Sequence, residues 1–530
     1  MTLLLFLICY SILPIWTNEY FPTQDGPAHL YCCSILMQLG HQGGSLPDYY
    51  FQVGSFLSPY WLGHLVLLFL MKLVPALMAE KIFLTLYVLF FNYSIYYYVQ
   101  SLNKQNLPVL LLAIPFAFNF PLFMGFYNYA LSVPLLFLCI GFAWRHKYDL
   151  SLPKLIFIST LLLLTYFTHF ISVLLACISI SIIGVFTLRN SRVRLYRLFI
   201  SMLPSLILVA YFLASNRFGS GERWHIATLI SYFASLETLN SFSASQAIYT
   251  LLIAAVFWIL ITCSFWRFIL RPTIVYLSNH KHQIQSNSTY IFGHLRLLSP
   301  ERCVPLFLSI FLLLMYFFLP DRTLIDSLMN VQGGGWTSTR ISILPILASL
   351  GWIALPQIRW QRVFLLFIML FITGLKIHNT NLWIAKGSAE INQYTAGIVK
   401  LPPNSLIMPF RNNMPQRFNR VSYLLHAGSL YCINNGSINL SVEFPDYDFY
   451  PIVYKMTASK ARPSPLIMEN IGQILHQFEN VTDYVITWKL SKESQEWKSL
   501  SSVFNACYRN EYLVIFKNPL RHELPIDKKY

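Results

Sequence analysis

The sequence Gln24-Asp25-Gly26-Pro27-Ala28-His29 lies in the first polar segment of the chain, Thr17 to Gly43, directly after an apolar run. Most of the chain after this segment, as far as Lys376, consists of long apolar runs joined by short polar connections. A carboxylate and an imidazole therefore lie in a polar segment near the start of a chain that is otherwise largely apolar. This contrast makes Asp25 and His29 the first candidates for chemistry.

The composition predicts a membrane protein. The chain has 530 residues, of which 55% are hydrophobic and only 11% are charged, too apolar for an ordinary soluble protein. Crossing a hydrocarbon core of ~30 Å takes roughly 20 apolar residues as helix, and the backbone must pair internally. The formal charge of +16 comes mainly from Lys and Arg between apolar runs, a pattern that sets membrane orientation. We therefore predict a polytopic α-helical membrane protein without a nucleic-acid partner.

The apolar runs predict about eleven transmembrane helices. The first run has no basic leader region and no small-residue cleavage site, so we predict a retained helix rather than a signal peptide. Leu155 to Thr187 is either one long helix or two short ones broken near Thr168-His169, and we count it as one. The predicted spans are Thr2 to Trp16, Pro59 to Leu77, Ile82 to Val99, Pro108 to Phe123, Tyr127 to Phe142, Leu155 to Thr187, Leu198 to Ala214, Ala247 to Leu270, Val304 to Leu319, Leu344 to Leu355 and Val363 to Lys376.

Basic residues in the short loops indicate the orientation. Arginines and lysines cluster at 189–197, 271–302 and 359–362, and with eleven spans these three segments share the cytoplasmic side. The loop 17–58 and the tail after Lys376 then lie outside. Arg145, Lys147 and Lys154 disagree, because the same count places them outside. Splitting Leu155 to Thr187 into two helices would satisfy them but would reverse the orientation of other segments. A bacterial inner membrane is the expected location.

The tail, 377–530, differs in character from the spans, which make up the transmembrane domain 1–376. Charges, prolines and short β-rich runs predict an extracytoplasmic α/β domain. Cys432 and Cys507 could pair there in an oxidising compartment. The predicted strands include Ser405 to Met408, Tyr484 to Trp488 and Tyr512 to Phe516, and the predicted helices Ser388 to Val399 and Pro465 to Phe478.

Asp25 has two interpretations. Aspartate is a favoured helix N-cap and proline suits the first turn, so Asp25 could simply cap an amphipathic helix, Ala28 to Leu39, at the membrane surface. The same placement could also fix a general base within reach of an attacking hydroxyl, with His29 one turn later. Asp25 and His29 could together hold a divalent cation, although two ligands are a weak metal signal and we assign no metal site.

The chain resembles the GT-C superfamily of polyprenyl-phosphate-sugar-dependent glycosyltransferases. The resemblance rests on a first helix, an outer loop with an acidic residue before a surface helix, many further helices and an outward tail. Its residue-level motif is Gln24 to His29, and it implies that Asp25 acts as catalytic base or acceptor contact. Members often carry a pair of acids here, whereas this chain has one aspartate, and Glu19 is the nearest second acid.

A lipid-phosphate donor needs cations near the outer interface, and arginine is suited to phosphate. Arg340 follows Gly333-Gly334-Gly335-Trp336 and opens an apolar span, so it is the first candidate for the donor phosphate. Arg217 and Arg223 lie in another outer, glycine-containing loop. Each could instead extend to ordinary lipid headgroups.

Three further features have an ordinary structural explanation. His64 and His169 lie within apolar runs, where packing histidines are common. The aromatic tail segment 443–451 could stack on sugar rings or pack the tail onto the membrane.

These observations predict a membrane glycosyltransferase that transfers a sugar from a polyprenyl-phosphate donor to an envelope glycan, lipid or protein acceptor at the outer face. The alternative is a transporter or flippase, or a non-catalytic scaffold, for envelope polysaccharide assembly. Transporters often show repeated halves, and this sequence shows no evident repeat.

Overall fold

The computed structural model is mostly helical. It describes residues 2–40, 45–188, 191–218, 224–279, 300–320, 324–325, 332–333, 336–410, 421–455, 475 and 479–521. The helices in these ranges are α1 (Thr2–Thr17), α2 (Gly26–Gln38), α3 (Leu46–Tyr50), α4 (Trp61–Met71), α5 (Ala76–Leu102), α6 (Leu110–Ala113), α7 (Phe120–Phe123), α8 (Tyr127–Arg145), α9 (Leu152–Thr168), α10 (Phe170–Leu188), α11 (Arg192–Ser215), α12 (Ile226–Ala234), α13 (Ala247–Phe265), α14 (Arg271–Asn279), α15 (Pro300–Phe318), α16 (Thr337–Ile341), α17 (Ile343–Ser349), α18 (Arg359–Thr395) and α19 (Gln495–Val503).

The strands form three sheets. Within the described ranges they are β1 (Phe51–Val53), β2 (Arg217–Phe218), β3 (Leu324–Ile325), β4 (Gln332–Gly333), β5 (Leu406–Phe410), β6 (Ile438–Asn439), β7 (Ile452–Tyr454), β8 (Tyr484–Trp488), β9 (Asn505–Arg509) and β10 (Leu513–Lys517). The largest sheet has the order β6-β5-β8-β10-β9, in which β5 runs parallel to β6 and β8, and β10 runs antiparallel to β8 and β9. Strand β1 pairs antiparallel with β7.

The chain divides into two compact units. Unit 1 comprises Met1–Ile12, Leu86–Pro121 and Tyr129–Thr380, and unit 2 comprises Leu13–Thr85, Leu122–Asn128 and Asn381–Tyr530. The tail thus forms a unit with the loop 17–58 and the segment before α8, rather than standing alone from residue 377 onward.

Apolar helices of membrane-spanning length dominate the chain. In the described ranges seven helices are long and apolar enough to cross a bilayer, and four more apolar helices have 10–17 residues. Long faces of several carry exposed large side chains, such as Tyr196, Leu203 and Ile207 on α11, as expected where lipid is the solvent. The chain is a polytopic α-helical membrane protein with a C-terminal domain.

Two details of the predicted spans are wrong. Leu155 to Thr187 is two helices, because His169 has an extended backbone, φ −161° and ψ 120°, that ends α9 before α10 begins. The predicted span Leu344 to Leu355 contains only part of the short helix α17, which ends at Ser349.

The break at His169 explains the basic residues that disagreed with the predicted orientation. Two helices rather than one now connect the segment after α8 to the start of α11, so both segments lie at one end of unit 1 if each helix crosses the bilayer. A direct contact agrees with this: Arg194 Nη1 donates to Tyr148 O at 3.1 Å. Arg145, Lys147 and Lys154 therefore lie at the same end of unit 1 as the basic residues at the start of α11, hereafter the basic end.

The core of unit 2 surrounds the five-stranded sheet. Every residue of β5 and β8 is buried, as expected for central strands with both faces covered. The predicted strands at 405–408, 484–488 and 512–516 coincide with β5, β8 and β10 to within two residues. Ser388 lies inside α18, which ends at Thr395, and most of the predicted helix Pro465 to Phe478 lies outside the described residues.

The sequence leaves open whether Cys432 and Cys507 pair, and the structure contains both as free thiols. Cys432 is buried in the core of unit 2 as a free thiol, and Cys507 is a free, exposed thiol on β9. Its Sγ donates instead to Ile515 O on the neighbouring strand at 3.4 Å.

Candidate active site

Asp25 immediately precedes α2 in unit 2. Its side chain makes no hydrogen bond to the first turn, so it does not cap the helix through its carboxylate. Gln24 Nε2 donates to Asp25 Oδ1 at 3.3 Å, and His426 Nε2 lies 3.5 Å from the same oxygen. Asp25 is only 5% exposed, and His426 only 6%. The structure thus shows a buried carboxylate beside an imidazole rather than a helix cap.

Two glycines allow a close approach of backbones around Asp25. A Cβ added to Gly125 would lie 2.6 Å from Asp25 N and 2.8 Å from Asp25 Cβ, and Gly125 has φ +81°, where side chains are strained. A Cβ added to Gly26 would lie 2.2 Å from Thr23 Oγ1 and 2.7 Å from Glu80 Oε1. Asp25 N also donates to Met124 O at 3.2 Å. The carboxylate is therefore held on a tightly packed backbone.

Glu80 supplies a second acid beside this turn. Tyr127 Oη donates to Glu80 Oε1 at 2.5 Å and lies 3.0 Å from Thr23 Oγ1. Glu80 is 4% exposed, near the start of α5. Glu19, the nearest acid in sequence, is exposed. The second carboxylate therefore comes from a remote part of the sequence.

His29 belongs to a chain of polar contacts that includes His64. The distances are 3.0 Å between His29 Nδ1 and His64 Nε2, and 2.8 Å between His29 Nε2 and Gly125 O. Asn128 Oδ1 accepts from Gly63 N at 2.7 Å, which orients the amide so that Nδ2 donates to Tyr60 O at 2.8 Å and lies 3.2 Å from His64 Nδ1. The His64 ring thus serves as a link in this chain.

One placement of protons on two neutral rings satisfies three contacts, but it leaves two acceptors, His64 Nδ1 and Tyr60 O, facing each other at 2.8 Å. Asn128 Nδ2 donates to His64 Nδ1, His64 Nε2 to His29 Nδ1, and His29 Nε2 to Gly125 O. The alternative places the His64 proton on Nδ1, towards Tyr60 O at 2.8 Å. His29 Nδ1 can then donate to His64 Nε2, which leaves His29 Nε2 without a proton towards Gly125 O. With both rings neutral, each placement therefore leaves one imidazole nitrogen facing a carbonyl oxygen without a proton between them.

Burial keeps His29 neutral. It lowers the pKa of His29 well below the ordinary value, His64 lowers it further, and the bond to Gly125 O opposes the shift. His29 is therefore a poor acid at neutral pH. Because both ring nitrogens are engaged within the protein, we interpret His29 as the residue that fixes the first turn of α2.

The aromatic tail segment forms one side of this cluster. The ring of Phe444 stacks on His29, with centroids 5.7 Å apart, and on Tyr450 at 5.0 Å, and it packs against His426 at 5.2 Å. Tyr450 Oη lies 3.3 Å from His29 Nδ1, and burial raises the pKa of Tyr450 well above the ordinary value. These two residues pack within unit 2.

The helix that follows Asp25 is buried on all sides over its first ten residues, Gly26 to Ile35. The tail covers it: Asn439 N donates to Tyr31 Oη at 3.2 Å, and Asn434 N to Ser34 Oγ at 2.7 Å. The prediction of a one-sided amphipathic surface helix is therefore wrong. Cys32 and Cys33 are buried with it, and burial raises the pKa of both thiols.

Comparison with solved structures assigns the fold. Over 99% of this chain and 98% of the other, the structure is similar to the crystal structure of ArnT from Cupriavidus metallidurans bound to undecaprenyl phosphate, with a TM-score of 0.56 and 9% sequence identity. ArnT is a GT-C glycosyltransferase. The chain has the GT-C fold. The apo state of the same ArnT gives a TM-score of 0.52 at 10% identity over the same shares.

Sequence comparison adds nothing to this result, because no family model and no curated protein sequence matches the chain. The predicted resemblance to the GT-C superfamily is confirmed at the level of the fold. Within this GT-C fold, the roles of individual residues remain predictions.

The arginines predicted to hold a donor phosphate lie in unit 1. Arg340 is partly buried in α16, and its carbonyl accepts a hydrogen bond from Tyr129 Oη. The ring of Tyr129 packs edge-on against His169, with centroids 5.2 Å apart. Arg217 is in β2, opposite Ile325 of β3, whereas Arg223 lies outside the described residues.

Both ring nitrogens of His29, the possible partner of Asp25 in binding a divalent cation, lie within hydrogen-bond distance of protein atoms. Across the described part of the chain, no group of three or more His, Cys, Asp or Glu could hold a metal ion.

Sequence reasoning missed His426 and Glu80. His426 lies in a tail with no recognisable motif around it, and nothing in the sequence links it to Asp25. Glu80 could have been noticed in the sequence, because an acidic residue at the edge of the apolar run that forms α5 is a candidate functional residue.

Proposed function

We propose that this protein is an integral-membrane glycosyltransferase that transfers a sugar from a polyprenyl-phosphate donor to an envelope glycan, lipid or protein acceptor. The reaction would take place at the outer face of a bacterial inner membrane, where the C-terminal domain would lie.

The observation that carries the proposal is the GT-C fold over nearly the whole chain, combined with a buried Asp25 whose carboxylate does not cap its helix. Burying a carboxylate costs desolvation free energy, which other interactions must offset. Hydrogen bonds to the first turn of α2 would have been the simplest way to offset it, and Asp25 does not make them. The ArnT structure holds undecaprenyl phosphate, which supports a polyprenyl phosphate as the lipid partner.

In the proposed reaction Asp25 accepts the proton of the acceptor hydroxyl while that oxygen attacks the anomeric carbon. The new carbon–oxygen bond forms as the bond to the donor phosphate breaks, and the polyprenyl phosphate leaves with the electron pair. Direct attack of this kind inverts the anomeric centre. His426, 3.5 Å from Asp25 Oδ1, positions the carboxylate, and His29 with His64 holds the helix that carries it.

Arg340 remains the candidate for the donor phosphate, with Arg217 and Arg223 as further candidates. A guanidinium matches the geometry of a phosphate and stays charged at every physiological pH. This assignment rests on residue type and sequence position.

The test is transfer of a labelled sugar from a polyprenyl-phosphate donor pool in membranes that contain the wild-type chain or Asp25→Asn at equal protein level. Removing a general base is expected to slow transfer by about 10²–10⁴-fold. Asp48→Asn is the matched control, because Asp48 lies in the same loop but serves the local structure: its Oδ2 accepts from Ser45 Oγ at 2.7 Å.

The proposal is supported if Asp25→Asn loses sugar transfer and Asp48→Asn retains it. Equal transfer by wild type and Asp25→Asn would refute Asp25 as the base. If the wild type transfers no sugar from a broad donor pool, the protein is not a glycosyltransferase of this type.

A further inference from the structure

A polar cavity lies within unit 1, whereas the Asp25 cluster belongs to unit 2. The cavity measures about 680 Å³ and lies where α5 and α13 end and α18 begins. Two arginines, Arg267 and Arg362, line it together with polar side chains such as Gln105 and Gln357, and none of its described lining residues is acidic. A cavity with two guanidinium groups and no carboxylate among these residues favours an anion.

Each arginine donates one hydrogen bond to a backbone carbonyl and has further N–H donors available for a ligand. Arg267 Nη1 donates to Leu355 O at 3.2 Å, and Arg362 Nη2 to Gln105 O at 3.2 Å. A guanidinium has five N–H donors, so a single carbonyl leaves most of them available. Anchoring by a carbonyl fixes the geometry without neutralising the charge.

Trp352 provides independent evidence that the cavity binds a hydrogen-bond acceptor. It lines the same cavity and is only 6% exposed, yet its indole Nε1 is buried without a hydrogen-bond partner in the described part of the chain. A buried N–H without an acceptor is costly, and an anion in the cavity would supply the acceptor.

An apolar groove lies on the same helix as Arg362. It is lined by the exposed side chains Ile358, Trp360, Val363, Phe364 and Phe367, each more than half exposed. From Trp360 to Phe367 these residues recur every three or four positions, so they form one face of α18. Arg362 thus lies one turn or less from a surface suited to acyl chains.

The cavity lies at the basic end of unit 1 if α11 and α13 each cross the bilayer. The helix α11 begins at this end with Arg192, and α13 returns before Arg267. Basic loops indicate the cytoplasmic side, where anionic lipids give the membrane surface a negative potential.

We propose that this cavity and groove bind one anionic phospholipid of the cytoplasmic leaflet. Its phosphate lies between Arg267 and Arg362 and accepts the N–H of Trp352, and its acyl chains lie along the apolar face of α18. This site is separate from the proposed sugar-transfer reaction and does not depend on it.

The experiment measures lipid binding to the purified full-length protein in detergent by native mass spectrometry. The probes are dioleoyl-phosphatidylglycerol and the zwitterionic dioleoyl-phosphatidylcholine. Inorganic phosphate is tested as a soluble anion, and its binding is measured as protection of the protein against thermal unfolding. We expect one phosphatidylglycerol to bind about tenfold more tightly than phosphatidylcholine, as expected for charge-assisted hydrogen bonds.

The double variant Arg267→Gln/Arg362→Gln is expected to bind phosphatidylglycerol at least about tenfold more weakly. Arg194→Gln is the matched control, because Arg194 also donates to one carbonyl at the basic end but does not line the cavity. Its affinity should equal that of the wild type. Trp352→Phe, which removes the N–H donor and keeps a smaller aromatic ring in the lining, should also weaken binding.

Wild-type affinity in the double variant would overturn the proposal, as would equal binding of the two lipids by the wild type. Stabilisation by inorganic phosphate equal to that by phosphatidylglycerol would identify a soluble anion instead of a lipid. If the double variant does not fold, the comparison of the two lipids on the wild type and on Trp352→Phe still decides the question.

Discussion

The substitution Gly26→Ala tests the packing that holds Asp25 in place. An added Cβ would lie 2.2 Å from Thr23 Oγ1, 2.5 Å from Tyr127 Oη and 2.7 Å from Glu80 Oε1. All three oxygens belong to one hydrogen-bonded group, so relief of the clash must break at least one of its bonds.

The expected cost combines two effects. Overpacking typically costs about 1–3 kcal/mol, and a lost hydrogen bond adds about 1 kcal/mol, so Gly26→Ala should lower the free energy of unfolding by roughly 2–4 kcal/mol. The displacement would also move Asp25, which precedes this residue, and sugar transfer should fall by more than stability alone explains.

The assay is equilibrium unfolding in mixed micelles, with sugar transfer measured at a temperature where both proteins are folded. Gly374→Ala is the matched control, because an added Cβ there meets no heavy atom within 4 Å. In the middle of α18 this alanine should be neutral or stabilising by up to about 1 kcal/mol. The reasoning fails if Gly26→Ala unfolds within about 0.5 kcal/mol of the wild type, the range of an ordinary surface change.

Two further predictions concern buried titratable groups in unit 2. Because the folded protein keeps His29 neutral, the unfolded chain alone gains this proton below its ordinary pKa, so the free energy of unfolding should fall as the pH drops below about 6.5, by up to about 1.4 kcal/mol per pH unit. Unfolding of the wild type and of His29→Gln at about pH 7.5 and about pH 5.5 measures this difference in slope. The substitution Asp483→Ala should cost about 3–5 kcal/mol, because it leaves the buried guanidinium of Arg521, now 3.0 Å from Asp483 Oδ1, without its carboxylate.

Each of these has an internal control. His29→Gln should reduce the acid loss of stability, and an unchanged slope would refute His29 as its source. For the buried pair, Asp149→Ala removes a carboxylate from the exposed pair with Lys154 and should leave the free energy of unfolding unchanged. Equal effects of Asp483→Ala and Asp149→Ala would contradict the argument from burial.

The membrane class and the central strands were predictable because each depends on local patterns. Apolar length indicates a helix in lipid, and short β-rich runs between prolines and charges indicate strands, so α8 and β8 begin at the predicted residues. The break at His169 was ambiguous because the surrounding run is apolar throughout and contains no proline at the break. Its position was suggested by one polar dipeptide, which alone did not outweigh the continuous apolar length.

The candidate site was only half predictable, for a physical reason. Asp25 and His29 are one helical turn apart, so sequence spacing places them together. His426 and Glu80 reach the site through tertiary packing between segments that share no local pattern. The close approach that requires Gly26 and Gly125 is likewise visible only when the backbones meet.

The hydrogen bond between His29 and Tyr450 joins residues 421 positions apart in the sequence, and the pairing of β1 with β7 spans a similar distance. A ribosome that adds about 5–20 residues per second synthesises Tyr450 roughly 20–80 s after His29. Until His426 is synthesised, Asp25 lacks this imidazole, and until Phe444 and Tyr450 follow, the first turn of α2 lacks its aromatic cover. A truncated or stalled chain would therefore lack the complete Asp25 cluster, so the proposed sugar transfer would begin only with molecules synthesised past Tyr450.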